Sequence, residues 1–218
     1  MLCYLAIVTT AGTTTHHSAA PCCSPGAAAT KDASRILGTT VNMRRHGQFD
    51  DAFGAVVCGL RLPTLRYPGG GESQWWDWRK GWVITEQQYL ERFPTNTTAY
   101  PQAKMAAQYI RGTTSYTVHN LKKHFIDVCN RTQGFVPGIN VVLNIVSGEL
   151  EDQLDFLAAV KALAIRIEAV ELGDEFHSPN RANVDSKFPN GTFFASYAAE
   201  WARAIKQRFP GVPVMVPA

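Results

Sequence analysis

The stretch Leu150-Glu151-Asp152-Gln153-Leu154-Asp155-Phe156-Leu157-Ala158-Ala159-Val160, followed by Ala169-Val170-Glu171-Leu172-Gly173-Asp174-Glu175-Phe176, decides the fold class. Leu150, Leu154, Leu157 and Val160 recur at spacings of 4, 3 and 3, the period of a helix with a single apolar stripe. Glu149, Glu151 and Asp152 place negative charge at its N-terminal end, where the helix dipole favours it. Ala169 to Leu172 is a short apolar run that reads as a strand, and a glycine and two acids follow it at once. A helix leading into a strand, repeated along a chain, is the pattern of parallel α/β proteins.

The same unit recurs on both sides. Upstream, Asp50 or Asp51 caps a helix whose Phe53, Val56, Val57 and Leu60 form one stripe, and Pro63 marks its stop before a strand from Thr64 to Tyr67. Ser115 or Thr117 starts a second helix through Leu121, Phe125 and Val128, closed by Gly134 and Pro137 before a strand from Ile139 to Ile145. Downstream, a helix begun by Thr192 carries Phe194, Ala198, Trp201, Ile205 and Phe209 on one face, ends at Pro210-Gly211, and leads into a strand from Val212 to Val216. With a further strand at Ile36 to Asn42, the count reaches at most five strands. Doubly wound sheets and partial barrels both fit this alternation, and both place function at the C-terminal ends of the strands.

The residues after those ends are therefore the candidates for chemistry. Arg66-Tyr67-Pro68-Gly69-Gly70-Gly71 is followed by Glu72-Ser73-Gln74-Trp75-Trp76-Asp77-Trp78-Arg79; Asn144 follows the next strand, and Gly173-Asp174-Glu175-Phe176-His177 the one after. The glycine triplet lacks the Lys-Ser/Thr of a phosphate loop and the spaced glycines of a dinucleotide fingerprint, which argues against nucleotide binding. Tryptophans beside a carboxylate suit a sugar, since an indole face packs on pyranose C-H groups while Asp77 accepts from hydroxyls. The plainer reading is that Trp75, Trp76 and Trp78 are core. Glu175, at a central strand end, is placed to have its pKa raised and to protonate a glycosidic oxygen. Arg66 and Glu171 lie within short central strands, where an unpaired charge is costly, so they are expected to pair with each other or with neighbouring polar groups. A role for Arg66 in orienting a catalytic carboxylate stands beside that reading.

Leu65-Arg66-Tyr67-Pro68-Gly69-Gly70 with Trp76-Asp77-Trp78, then Val141-Val142-Leu143-Asn144 with Asp152-Gln153-Leu154, then Val170 to Phe176, resemble the heparanase-like β-glucuronidases in order and spacing. The resemblance implies an α/β fold in which residues 36–218 form about the first five units of a (β/α)8 TIM barrel. It implies a retaining glycoside hydrolase on uronic-acid-containing or related polysaccharides, with no cofactor and no metal. Glu175 matches the acid/base, and Asp174, Asn144, Arg66, Trp76, Asp77 and His177 would line the substrate cleft. Asp174 stands where the family usually has an asparagine whose amide donates to the sugar, and its charge should push the Glu175 pKa upward. His177 stands where an aromatic residue is common and reads as a cleft wall. No position matches the family nucleophile, so the chain alone is expected to be inactive. With about 180 residues against about 250 for a closed barrel, it is also expected to self-associate through an open edge.

Composition narrows the rest. With 21 basic and 18 acidic residues the net charge is +3, too small and dispersed for a nucleic-acid surface; Lys122, Lys123 and His124 read as a solvated face. No apolar run approaches the roughly 20 residues of a membrane span. Residues 1–35 read as a leader or disordered segment, with Ala19-Ala20-Pro21 as a cleavage site. Sequons at Asn96, Asn130 and Asn190 point to secretion or a lysosome-like compartment. Among Cys3, Cys22, Cys23, Cys58 and Cys129 no zinc or disulfide spacing is evident, and Cys58 and Cys129 are expected to be buried free thiols. Two readings compete with the enzyme: a non-catalytic carbohydrate-binding relic of such a hydrolase, and an incomplete product with no function of its own.

Overall fold

A computed structural model describes residues 38–40, 50–94, 116–174, 176 and 187–217. The alternation read from the sequence is realised as β1 (Gly38–Thr40), α1 (Asp51–Gly59), β2 (Thr64–Tyr67), a 3-10 turn (Gly71–Trp75), β3 (Trp76–Asp77), β4 (Trp82–Val83) and α2 (Glu86–Arg92). Then come α3 (Val118–Leu121), a π-helical segment (Lys122–Ile126), α4 (Asp127–Gln133), β5 (Gly138–Leu143), α5 (Leu150–Ala162), β6 (Ile167–Leu172), α6 (Gly191–Arg208) and β7 (Val214–Met215). The proposed leader, residues 1–35, lies outside the described residues.

β1, β2, β5, β6 and β7 form one parallel sheet whose order in space is their order along the chain. A doubly wound sheet reverses direction at a switch point; these five strands have none. β3 and β4 are an antiparallel pair outside that sheet, inserted after β2. The helix starts follow the capping chemistry. Asp50 Oδ1 accepts from Phe53 N at 2.7 Å, Thr117 Oγ1 from Asn120 N at 3.3 Å, and Asn190 Oδ1 from Phe193 N at 2.9 Å. The last helix thus begins at Gly191, one residue before the Thr192 read as its start, with Asn190 as its cap.

Strand register sorts the side chains. Residues paired across a parallel sheet point to the same side. Arg66 pairs with Asn140, Asn140 with Ala169, and Val142 with Glu171, so Arg66, Asn140, Val142 and Glu171 share one face. Leu65, Tyr67, Val141, Leu143, Val170 and Leu172 take the other, all at 1 % exposure or less, in a core with Phe156 and Trp201. One face is continuously apolar; the other carries an arginine, an asparagine and a glutamate.

α1 meets the π-helical segment and α4 at unusually short range. A Cβ built on Gly54 would lie 1.8 Å from the backbone oxygen of His124, so only glycine permits this approach. One turn later Cys58 is disulfide-bonded to Cys129, with a Cα–Cα distance of 5.0 Å. This corrects the reading of these two residues as free thiols: they are buried, yet joined, and a separation of 71 residues leaves no local spacing to betray the pair. The basic cluster is partly paired, with His124 Nδ1 2.8 Å from Asp51 Oδ1 and Lys122 Nζ 2.5 Å from Asp127 Oδ1. The hydrogen bond with His124 holds the Asp51 carboxyl below its ordinary pKa against the opposing effect of desolvation, helped by the nearby charges of His124, Arg131 and Lys123.

Two measurements check this contact. Gly54→Ala is expected to destabilise by roughly 1–3 kcal/mol, because overpacking against backbone outweighs the gain of about 1 kcal/mol in helix propensity. Gly59→Ala, with no atom within 4 Å of the added carbon, should be neutral or stabilising in the same denaturant titration. Reduction of the disulfide should cost about 2–5 kcal/mol in thermal or denaturant unfolding.

Candidate functional site

Successive parallel strands deliver their C-terminal ends to one side of the sheet, and the candidate residues gather there. Arg66 is the penultimate residue of β2 and Glu171 the penultimate residue of β6, with β5 between them. Both side chains rise from the same face, and Arg66 reaches across β5 to close a two-point pair: Nε to Glu171 Oε2 at 2.7 Å and Nη2 to Glu171 Oε1 at 2.8 Å. The same Nη2 donates to Asp174 Oδ1 at 2.5 Å. Glu171 and Asp174 are 2 % and 6 % exposed. Burial works to lower the Arg66 pKa, but the hydrogen bonds and charges of Glu171 and Asp174 outweigh it, leaving the guanidinium above its ordinary value and permanently charged. The expected pairing of Arg66 with Glu171 is thus present, and Asp174 joins it.

Asp174 follows Gly173, whose φ of 85° turns the chain off the strand. That positive φ favours glycine, and a Cβ there would also press on the Phe176 ring at 2.2 Å, so the ring would have to shift. The loop after β2 grips this turn. Gln74 Nε2 donates to the backbone oxygen of Asp174 at 2.7 Å, and Ser147 Oγ donates to the backbone oxygen of Gln74 at 2.8 Å. Asn144 completes the mesh: its Nδ2 donates to Trp76 O at 3.1 Å and to Ser147 Oγ at 2.8 Å, and its Oδ1 accepts from Ser147 N at 2.9 Å. Its own backbone N–H is taken by Gln153 Oε1 at 3.0 Å. Asn144, 2 % exposed, is therefore a brace between loops in this structure, with its amide already engaged.

The aromatic residues divide. Trp75 and Trp76 are 5 % and 3 % exposed; Trp75 packs on Tyr89 and Phe93, and Trp76 meets Tyr67 edge-on. Both belong to the core. Trp78 is half-buried, stacks on Phe156 with ring centroids 5.5 Å apart, and has the Arg79 guanidinium 4.2 Å from its ring centre. Asp77 works within the β3–β4 turn, its Oδ1 accepting from Arg79 N at 3.1 Å and its Oδ2 lying 3.2 Å from Lys80 Nζ.

Arg66, Asp174, Asn144 and Trp76 thus belong to one hydrogen-bonded assembly, and Asp77 adjoins it. Glu175, His177 and Asn96 lie outside the described residues. Asn130 and Asn190 are exposed, and Asn190 caps α6 through Oδ1, which leaves the glycan-accepting Nδ2 clear of that bond. Among the described residues no group of three or more His, Cys, Asp or Glu side chains could hold a metal ion, and no helix is long and apolar enough to cross a membrane. The sequence reading passed over Gln74 and Ser147, whose roles arise from contacts 100 and 73 residues distant. Neither a protein-family model nor a curated protein sequence matches the chain.

The cluster has a stability signature. Arg66→Met would leave two buried carboxylates facing each other without a counter-charge, at a cost of about 3–5 kcal/mol near neutrality. Denaturant titrations of wild type and variant at neutral pH should show this gap.

Proposed function

We propose that this chain is the N-terminal part of a (β/α)8-barrel glycoside hydrolase of the retaining type, with Glu175 as its acid/base and the ends of β2, β5 and β6 as the floor of its sugar site. The supporting observation is the convergence of Arg66, Asn144 and Asp174, from three consecutive parallel strands, on one end of a singly ordered sheet. In barrels of this kind catalytic groups come from the ends of several different strands. The polar face bearing Arg66, Asn140 and Glu171 would be the barrel interior, and the apolar face with its helices the outer layer.

Two further features agree. Between α6 and β7 lies an apolar cavity of about 350 Å³ lined by Phe194, Ala198, Ala202, Val214 and Val216, the kind of surface that a further β/α unit covers in a barrel and that otherwise favours self-association. The Cys58–Cys129 disulfide fits an oxidising compartment, as do the exposed sequons at Asn130 and Asn190, and supports a secreted or lysosome-like location. Under this reading the partner is an oligo- or polysaccharide, and the chemistry needs neither cofactor nor metal.

Retaining hydrolysis requires two carboxyl groups about 5–5.5 Å apart, and of the buried acids Glu72, Glu171 and Asp174 among the described residues the last two are both held by Arg66. The full chain is therefore expected to bind β-linked oligosaccharides without turning over aryl β-glucuronides or arabinofuranosides. Binding should perturb the NMR signals of Arg66, Gln74 and Asp174; perturbations confined to the opposite end of the sheet would defeat the proposal. Turnover abolished by Glu175→Gln would place a nucleophile within these 218 residues.

A further inference from the structure

Phe193 stands apart from its aromatic neighbours. Phe176, Phe188 and Phe194 pack on one another with ring centroids 5.1 to 5.7 Å apart, whereas Phe193, in the first turn of α6, is 51 % exposed. A helical aromatic side chain leans back towards the N-terminus of its helix and covers the turn before it. For Phe193 that turn opens at Asn190, and the two are tied: Asn190 Oδ1 accepts from Phe193 N at 2.9 Å. With Oδ1 facing the helix, Nδ2 is the limb of the planar amide turned away from it. Asn190-Gly191-Thr192 is an acceptor sequon, and all three residues are exposed.

We infer that Asn190 carries an N-linked glycan whose first N-acetylglucosamine lies on the Phe193 ring. In the modification the Nδ2 nitrogen bonds the anomeric carbon of an oligosaccharide carried on a polyprenyl diphosphate. The bond from that carbon to the phosphate oxygen breaks, the carrier leaves as its diphosphate, and the amide gives up one proton. Oδ1 remains an acceptor throughout, so the helix cap survives the modification. The sugar's C–H face then covers aromatic surface that α6 otherwise leaves in water. Asn130 offers no such platform: it lies inside α4, its third neighbours are Asp127 and Gln133, and the sequon hydroxyl of Thr132 donates to Val128 O at 2.8 Å. Phe194 meets Phe176, whose ring lies against Gly173 after β6, so the glycan stands at the end of the sheet where Arg66 and Asp174 gather. The inference rests on the secretory location proposed above and not on the hydrolase chemistry.

The full chain, secreted behind a supplied cleavable signal sequence by mammalian cells restricted to high-mannose glycans, tests it. Digestion with peptide N-glycosidase in heavy-oxygen water, followed by mass spectrometry, is expected to label Asn190. Glycans trimmed by endoglycosidase to one N-acetylglucosamine should raise the unfolding midpoint over that of the same chain made unglycosylated in a bacterial periplasm. Repeating the pair with Phe193→Ala, a surface change that leaves the cap in place, should shrink this gain by about 2–4 °C, the shift expected from one contact of ordinary strength in a chain of this size. Proton NMR of the trimmed form should show the Asn190-linked sugar's ring protons moved upfield by the Phe193 ring current, and Phe193→Ala should return them. A secreted chain unlabelled at Asn190, or a gain and sugar shifts indifferent to Phe193→Ala, overturns the inference and leaves the location and hydrolase readings standing. Native protein recovered from the cytosol without the label sinks the secretory location, and the modification with it.

Discussion

The ion cluster in which Arg66 spans β5 to reach Glu171, and then holds Asp174, governs how this molecule is organised. A guanidinium with two buried carboxylates can exist inside a sheet only if its geometry is fixed from all sides, because the desolvation of each ion is recovered only by well-formed bonds. The register supplies that fixity. Pairing of Arg66 with Asn140 and of Val142 with Glu171 puts the two charged side chains on one face, two residues apart in height, so the long arginine slants across the intervening strand to meet its partner. A one-residue slip of either ladder would send one charge into the apolar layer occupied by Leu65, Val141 and Val170. The cluster therefore penalises wrong registers more than it rewards the right one.

The second constraint is the loop after β2. It leaves the sheet, forms a 3-10 turn and the short β3–β4 hairpin, and returns material over the ends of β5 and β6. Its contacts are mostly polar and made by backbone: Gln74 O, Trp76 O and Asp174 O are all acceptors in the mesh. A mesh built this way holds loop position largely through main-chain acceptors. Trp75 and Trp76 anchor it by burial, while Trp78 is fixed at its edge by Phe156 and by a bond from its Nε1 to Asp152 O at 3.2 Å.

How much of this the sequence carried follows the range of the interactions. Helix starts depend on bonds three residues long, and Asp50 and Thr117 were readable as caps. The stripe Leu154, Leu157 and Val160 lies in the core as its period implies. Costly burial of charge was enough to pair Arg66 with Glu171 across 105 residues, because few other partners were available inside a strand. Helix α2 went unread although Thr85 and Gln88 form a capping box whose spacing was visible; the short helix carries too little apolar periodicity to draw attention. The disulfide, the Gly54 contact and the brace formed by Asn144 could not be read locally. Each depends on how α1, α4 and the loop after β2 meet in three dimensions, and a glycine in a helix or an asparagine after a strand has many other reasons to be there.

The persistence of charge at the end of β6 is itself informative. Replacing a buried ion cluster by apolar residues of similar volume is often neutral or stabilising, and the neighbouring strand positions Val141, Val142 and Leu143 show that this sheet packs apolar side chains without difficulty. A fold selected for stability alone would have little reason to keep an arginine, a glutamate and an aspartate there. Pairing explains why Glu171 is tolerated beside Arg66, since the two form a complete, neutral, two-point contact. It does not explain Asp174, which adds a negative charge to a pair that is already balanced. The surplus charge is held in place by geometry: Gly173 turns the chain so that Asp174 meets Arg66, and Gln74 fixes the Asp174 backbone, so the neutral pair is the rigid base on which the third charge sits.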